Sequence, residues 1–539
     1  MAQPQARAAA RAPELFPVDD GYTGNLRDES RTTGFAVTIS FPTSEDDVRA
    51  VLAQLREQGC TAVTVQGART GLAAGAVPFG GSVMDLSRMK RVTGLRQEGE
   101  RFFVTVQPGV VLQDLRNALR QKRFATTGWS DESLAALAAF REAGPWFFPT
   151  DPTETSATIG GMVACNASGA RSFRYGPVRP HVQALRVVLA DGETLALSRG
   201  DVAAEGRVLT LVTEQGTTRT VPVPTYTMPH AKNASGYHAA PDMDAVDLFV
   251  GSDGTLGVVT EVELELLPSP AVTWGVNCFF GTEAEALAFV EDVRPSVPEA
   301  VAVEYFDADA LDVLRAQRAT GGAFATLPVI PEDWRFCVYV ELAGPGEEAV
   351  ADALGRVADA MVAAGSTPAR TWVGRTDVDR ECQRLFRHAV PESVNMLIDE
   401  RRRTDRSITK LGSDMSVPNG RLLDVMGLYR RTLAEEGLQS AVWGHIGDNH
   451  LHVNVLPRTI EDYRRGKALF ERWAEEVSAM GGAVSAEHGV GKLKRAFLIP
   501  MYGQEGVASM AATKRALDPD GLLGRGNLFD EALLGSEEV

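Results

Sequence analysis

Apolar and polar positions along this chain recur with two distinct periods. Val48, Val51, Leu52 and Leu55 fall at helical spacing behind Thr43-Ser44-Glu45-Asp46-Asp47, which offers a cap and first-turn acids, and Gly59 stops the pattern. Ala62-Val63-Thr64-Val65 then reads as a strand running into a glycine-rich loop, so the chain opens strand–helix–strand. From about 100 to 268 the pattern is mostly strands. Val104 and Val106 alternate before Pro108-Gly109, and Arg186–Ala190 precedes the turn signal Asp191-Gly192. Within Leu256–Leu266, Val262, Leu264 and Leu266 alternate with Glu261, Glu263 and Glu265, which predicts one buried and one wet face. Residues 128–145 read as an insertion with a short amphipathic helix around Leu134–Phe140.

After Pro268 the texture changes. Strand-like Val276–Phe280, Ala300–Tyr305 and Phe336–Leu342 alternate with helix-like 283–293 and an alanine-rich helix from about 346 to 364, which predicts a second α+β unit. The charge run Glu400–Arg403 reads as a solvated helix face or turn. These boundaries divide the chain into an irregular lead-in (1–34), a first domain (35–268), a second (269–440) and a closing segment (441–539).

Composition narrows the class. The chain has 539 residues, 44% hydrophobic and 23% charged, which is ordinary for a globular protein of two to four domains. With 71 acidic against 54 basic residues the net charge is −17, which argues against nucleic acid as a partner. No run approaches the roughly 18 apolar residues of a membrane span. Five scattered cysteines (Cys60, Cys165, Cys278, Cys337 and Cys382), without C-x-x-C, spell neither a zinc ribbon nor an iron–sulfur cluster and suit a reducing compartment. Met1–Pro13 is rich in Ala and Arg, a faint likeness to a transit peptide, and reads more simply as an irregular start. The expected location is the cytoplasm, with peripheral attachment at the inner membrane face left open.

Three small-residue segments carry candidate binding chemistry. In Gln66-Gly67-Ala68-Arg69-Thr70-Gly71-Leu72-Ala73-Ala74-Gly75-Ala76-Val77-Pro78, backbone N–H groups approach an anion closely, and a pyrophosphate is the natural occupant. The spacing is neither G-x-G-x-x-G nor G-x-x-x-x-G-K-[ST]. Phe148–Pro152 with Ser156–Gly169, and Gly251–Glu261, are two further stretches against which a flat cofactor could lie. Two later motifs bear ligands. Gly444-His445-Ile446-Gly447-Asp448-Asn449-His450-Leu451-His452-Val453-Asn454 places His450, His452 and Asn454 on one strand face, with His445 returning across the turn. Ser485-Ala486-Glu487-His488-Gly489 adds a carboxylate and a fourth imidazole. Clustered neutral imidazoles suit Zn, Mn or Fe.

In this order, the segments resemble the FAD-binding domain of the vanillyl-alcohol oxidase / PCMH superfamily, and specifically its FAD-linked 2-hydroxyacid dehydrogenases: D-lactate dehydrogenase, the glycolate oxidase large subunit and D-2-hydroxyglutarate dehydrogenase. The resemblance covers roughly residues 35 to 530. It implies an α+β chain: a PCMH-type FAD-binding domain of two α+β subdomains, an α+β substrate or cap domain, and a helical C-terminal segment that carries the metal site. It implies FAD contacts from Gln66, Gly67, Ala68, Arg69, Thr70, Gly71, Leu72, Gly75 and Ala76; from Pro149, Asp151, Ser156, Thr158, Gly160, Gly161, Asn166, Ser168 and Gly169; and from Gly254, Val258 and Val259. No His or Cys lies in the 66–78 loop, so noncovalent FAD is expected. The family pattern G-H-x-G-D-G-N-L-H with G-E-H-G implies His445, His452 and Glu487 as ligands of a divalent metal, usually zinc, and His488 as base. Here the family's Gly-Asn is Asn449-His450, which leaves open whether His450 joins the metal.

Arg387 matches the family's Arg-x-x-x-Thr, with Pro391 in place of Thr. Asp414–Pro418 matches a later run, but Gly412 stands where the family has Lys, and Lys410 lies two places earlier. Arg387, Lys410 and Asn454 join His488 as expected catalytic residues. The terminal Leu517–Leu523 resembles a closing signature. The implied reaction oxidises a small D-2-hydroxy acid to the 2-keto acid, with hydride to flavin N5 and electrons passed to an external quinone, cytochrome or electron-transfer flavoprotein. The alternatives are an oxygen-using oxidase of the same superfamily, a synthase of the alkylglycerone-phosphate type, and a non-enzymatic flavin electron-transfer subunit. Homo-oligomerisation stays open.

Overall fold

The computed structural model describes residues 14–406 and 408–535. Met1–Pro13, the stretch with the faint transit-peptide likeness, lies outside them. The lead-in is less irregular than expected: Phe16–Pro17 pairs with Thr38–Ser40, and Asp20–Leu26 forms a 3-10 helix capped by Asp19. The strands Thr38–Ser40, Ser82–Asp85 and Val63–Gln66 pair in parallel. The helix Glu45–Glu57 connects the first to the last of them. Ser44 caps it by accepting from the Asp47 N–H, and its buried face is Val48, Val51, Leu52 and Leu55.

A second sheet runs Val92–Glu98, Arg101–Val106, Val258–Pro268, Val182–Val188, Thr194–Ser198, all antiparallel. In Val258–Pro268 every second side chain is buried, as the valine–glutamate alternation requires. The insertion forms the helix Asp131–Glu142 against this sheet, where Phe140 meets Phe102 edge-on at 5.2 Å.

The third sheet has eight antiparallel strands, including Val272–Phe280, Phe336–Gly344, Ala300–Phe306, Ser440–Gly444 and His450–Val455. The helices Glu283–Ser296 and Glu347–Ala363 cover one face. Asp377–Arg402 packs on the sheet through Phe386, Ala389, Val390 and Val394, and the charge run is its C-terminal turn. The expected boundary at 440 falls inside this sheet, because the histidine-bearing hairpin 440–455 is two of its strands. The chain end returns to the first domain: the Val63 N–H donates to the Leu522 carbonyl, and Leu498–Leu517 packs near Thr218–Pro222. No helix among the described residues is long and apolar enough to cross a membrane.

Candidate active site

The loop after Val63–Gln66 wraps one wall of a cleft of about 280 Å³. Gln66, Gly67, Ala68, Arg69, Thr70, Gly71 and Leu72 line it, followed by Gly75 and Ala76. Arg69 (φ 60°) and Ala74 (φ 58°) adopt left-handed backbone. Among the described residues, no backbone N–H from Ala68 to Ala76 has an acceptor. These N–H groups are therefore free to donate to a group outside the chain. The loop is anchored from behind: Arg69 reaches Asp85 at 3.0 Å, and the Gln66 amide donates to the Ala76 carbonyl at 2.7 Å.

The opposite wall comes from Thr158, Gly160, Gly161 and Ser168, then Gly254 and Val259. Six other expected cofactor contacts do not line the cleft. Val258 is a core residue: it sits next to Val259 in one strand, and adjacent strand residues face opposite sides. Asn166 is turned to the backbone, accepting from the Arg179 N–H, and Gly169 is pressed so closely on Asp151 that a Cβ there would lie 1.9 Å from the Asp151 carbonyl. Asp151 itself accepts from the Arg171 N–H. Pro149 is buried behind the wall, and Ser156 is exposed at a turn held by Glu154. Cleft residues absent from the expectation include Glu154, Met162, Cys165 and Asp253. Burial, reinforced by Asp253, pushes the Cys165 thiol up to about 12, so it is no thiolate.

Glu487 and His488 line the same cleft. The antiparallel hairpin Ser440–Gly444/His450–Val455 delivers the histidines. Gly444 (φ 140°) permits the tight return, since a Cβ there would lie 3.0 Å from the His450 carbonyl. Nε2 of His445 lies 3.2 Å and Nε2 of His452 3.4 Å from Glu487 Oε1. Nδ1 of His450 lies 3.9 Å from Glu487 Oε2. His488 stacks on His452 at 5.3 Å, with Nδ1 3.4 Å from Asp414 and Nε2 3.6 Å from Glu487.

The charges around this cluster have identifiable causes. Burial opposes a charge on His445, but Glu304 and Glu487 outweigh it and raise it to about 10. His450 is held neutral by burial, and burial, against the pull of Asp414, lowers His488 to about 4. Glu487, despite burial, is held well below the usual carboxylate range by His445 and Lys232. Lys232, whose Nζ is 2.8 Å from Glu487, carries no signal in the sequence; its loop reaches the site only through the fold. The same is true of Glu304 behind His445 and of Lys494, 2.5 Å from Asp414.

The donor set fits a divalent ion. Ligand atoms of His445, His450, His452 and Glu487 lie within 4.8 Å of one another, and Nδ1 of the fully buried His450 has no hydrogen-bond partner. The remaining expected residues surround this cluster unequally. Arg387 lies 4.5 Å over the Tyr339 ring, on the strand pair that also carries Glu304. Lys410 lies 5.4 Å over Trp443 and is loosely bonded to Asn395 at 3.4 Å. Asn454 points back to its own strand, donating to the His452 carbonyl at 2.9 Å.

Comparison with known proteins agrees with this geometry. Residues 37–139 and 132–198 match the FAD binding domain model, and residues 269–528 match the C-terminal domain of FAD linked oxidases. The chain is 26% identical over 493 residues to a D-lactate dehydrogenase of Anaerostipes hadrus, covering 90% of this chain and 88% of that one. It is 28% identical over 515 residues to a D-2-hydroxyglutarate dehydrogenase of Xanthomonas citri pv. viticola, covering 93% and 90%. Among solved structures, 4-ethylphenol oxidase from Gulosibacter chungangensis shares the fold with a TM-score of 0.62 at 16% identity, covering 96% of this chain and 95% of that one. With an FAD-binding domain in front and the oxidase C-terminal domain behind, the chain belongs to the FAD-linked oxidases of the PCMH type and is an FAD-dependent oxidoreductase.

Proposed function

We propose that the protein oxidises a small D-2-hydroxy acid of the lactate, glycolate or hydroxyglutarate class to its 2-keto acid. The observation that carries this reading is the continuity of one cleft, which is lined both by the 66–76 loop and by Glu487 and His488. FAD, held noncovalently by the 66–76 loop and the facing wall, supplies a two-electron acceptor when bound; a divalent ion at His445, His452 and Glu487, zinc by its donor set, supplies a Lewis acid.

The chain's own residues supply the rest. His488 is neutral at physiological pH and takes the substrate hydroxyl proton. Asp414 holds the ring by its other nitrogen and favours the imidazolium that forms. Arg387 and Lys410 clamp the substrate carboxylate. Arg387 suits that role because it is half-buried with an unbonded, shielded Nε, and among the described residues no carboxylate lies within ion-pair distance of it. The electrons leave to a separate carrier, such as a quinone, a cytochrome or an electron-transfer flavoprotein.

Anaerobic flavin bleaching tests the reading, using D- and L-lactate, glycolate, D-2-hydroxyglutarate and D-malate with and without a chelator. The expected result is bleaching by one D-acid, lost on chelation and restored by a divalent ion. A yellow protein that none of these acids bleaches refutes the substrate class. Rapid reoxidation by air without an added carrier would make it an oxidase.

A further inference from the structure

His450 stands where the resembled pattern has Asn, and the fold brings it into the cluster. Each of the three histidines turns one ring nitrogen toward Glu487 and the other toward an outer partner. For His445 the outer contact is Nδ1 to Glu304 at 2.7 Å. For His452 it is Nδ1 to the Ser413 carbonyl at 3.3 Å. For His450 it is Nε2 to Asp414 at 3.0 Å, while Nδ1 faces Glu487. Metal-ligating imidazoles have this arrangement, one nitrogen on the ion and the other held by a carboxylate or carbonyl that sets the tautomer. With Nε2 held by Asp414, Nδ1 of this fully buried imidazole has no hydrogen-bond partner, which is costly unless something outside the chain completes it. Ligand atoms on one zinc stand about 3–4.4 Å apart, and here they all lie within 4.8 Å of one another, close enough to converge on one ion. His488 falls outside this sphere and groups instead with Asp414 and His452.

We propose that His450 is a fourth protein ligand, making a three-imidazole, one-carboxylate site in place of the two-imidazole site implied by the resemblance. The proposal rests on the metal reading given above. A third imidazole shifts the preference of the site toward zinc, cobalt or nickel and away from manganese and magnesium. It also removes one open coordination position.

The experiment strips the FAD-loaded full-length protein with a chelator, reloads it with Zn²⁺ alone, and reads the imidazole count by X-ray absorption. Zn²⁺ and Mn²⁺ affinities are then measured by chelator competition for wild type, His450→Asn and His450→Gln. Flavin content and melting temperature report whether the variants fold. The expected result is three imidazoles in the wild type and two in His450→Asn, with Zn²⁺ affinity at least about tenfold weaker and the Zn²⁺-over-Mn²⁺ preference narrowed. Two imidazoles in the wild type overturn the proposal without any need for a folded variant. So does an affinity unchanged in both folded variants, which would leave His450 as a partner of Asp414 only. A wild-type protein that takes up no divalent ion overturns the metal reading itself.

Discussion

Replacing Arg387 with Met separates a substrate clamp from a structural cation. Arg387 is half-buried, its shielded Nε makes no hydrogen bond, and its guanidinium leans on Tyr339 at 4.5 Å. An unsatisfied buried donor costs about 1–3 kcal/mol, while stacking on an aromatic ring returns about 0.5–2 kcal/mol. The acids nearby feel its charge but keep direct partners without it: Glu341 keeps Arg171 at 2.6 Å, and Glu304 keeps His445 at 2.7 Å. Methionine fills much of the same volume, so the two effects nearly cancel and the fold is expected to hold its melting temperature or gain slightly. Activity behaves differently. Losing a desolvated charged contact to a carboxylate costs about 2–5 kcal/mol. At about 1.36 kcal/mol per tenfold, kcat/KM for the bleaching acid drops by about 30- to 5000-fold, mostly through KM. Stopped-flow flavin reduction and thermal melting of the same preparation decide the matter. A melting temperature that falls while KM stays put would make Arg387 a scaffold residue and refute the clamp.

Other expectations follow from particular contacts. Gly491 has φ 49°, and a Cβ there would lie 2.1 Å from the Ala73 carbonyl of the cofactor loop, whereas Gly59 (φ 69°) has open space. Both alanines would be strained alike, but the Gly491→Ala Cβ also displaces the Ala73 carbonyl, so Gly491→Ala should weaken FAD by at least about fivefold and Gly59→Ala should not; equal flavin titrations for the two would refute this. Burial, with Arg31 adding repulsion, lowers Lys410 to about 8. Its positive charge is present below that pH and lost above it, so kcat/KM should decline as pH rises through about 8, and Lys410→Met should flatten that limb. A wild-type profile level to pH 10, about two units beyond, would exclude Lys410 as a carboxylate partner. In the metal-free protein Lys232 neutralises Glu487 at 2.8 Å. Lys232→Met should then destabilise the stripped protein by about 3–5 kcal/mol and the Zn²⁺-loaded protein by less, and equal losses of melting temperature with and without the ion would contradict it.

What could be read from the sequence was local, and what escaped it was long-range. The strand Val258–Pro268 is visible because one alternation of valine and glutamate encodes both its conformation and its buried face. The 66–76 loop is visible because its chemistry is backbone chemistry, which small residues announce. The helix Asp377–Arg402 is not, since Pro391 sits mid-helix in a charge-rich stretch and reads as a break; only the sheet beneath Phe386, Ala389 and Val390 shows why the helix persists. Asp414 marks the sharper limit. In the sequence it is one acid in a matching run, 73 residues from Glu487. In the fold its two oxygens divide the site. One lies 3.0 Å from His450, and the other accepts from the His488 N–H and Ser485 Oγ and pairs with Lys494. A single carboxylate therefore orients both the proton acceptor and the third imidazole. On the metal reading proposed above, His450 shares its outer partner with His488, so a third imidazole would need no separate carboxylate to orient it.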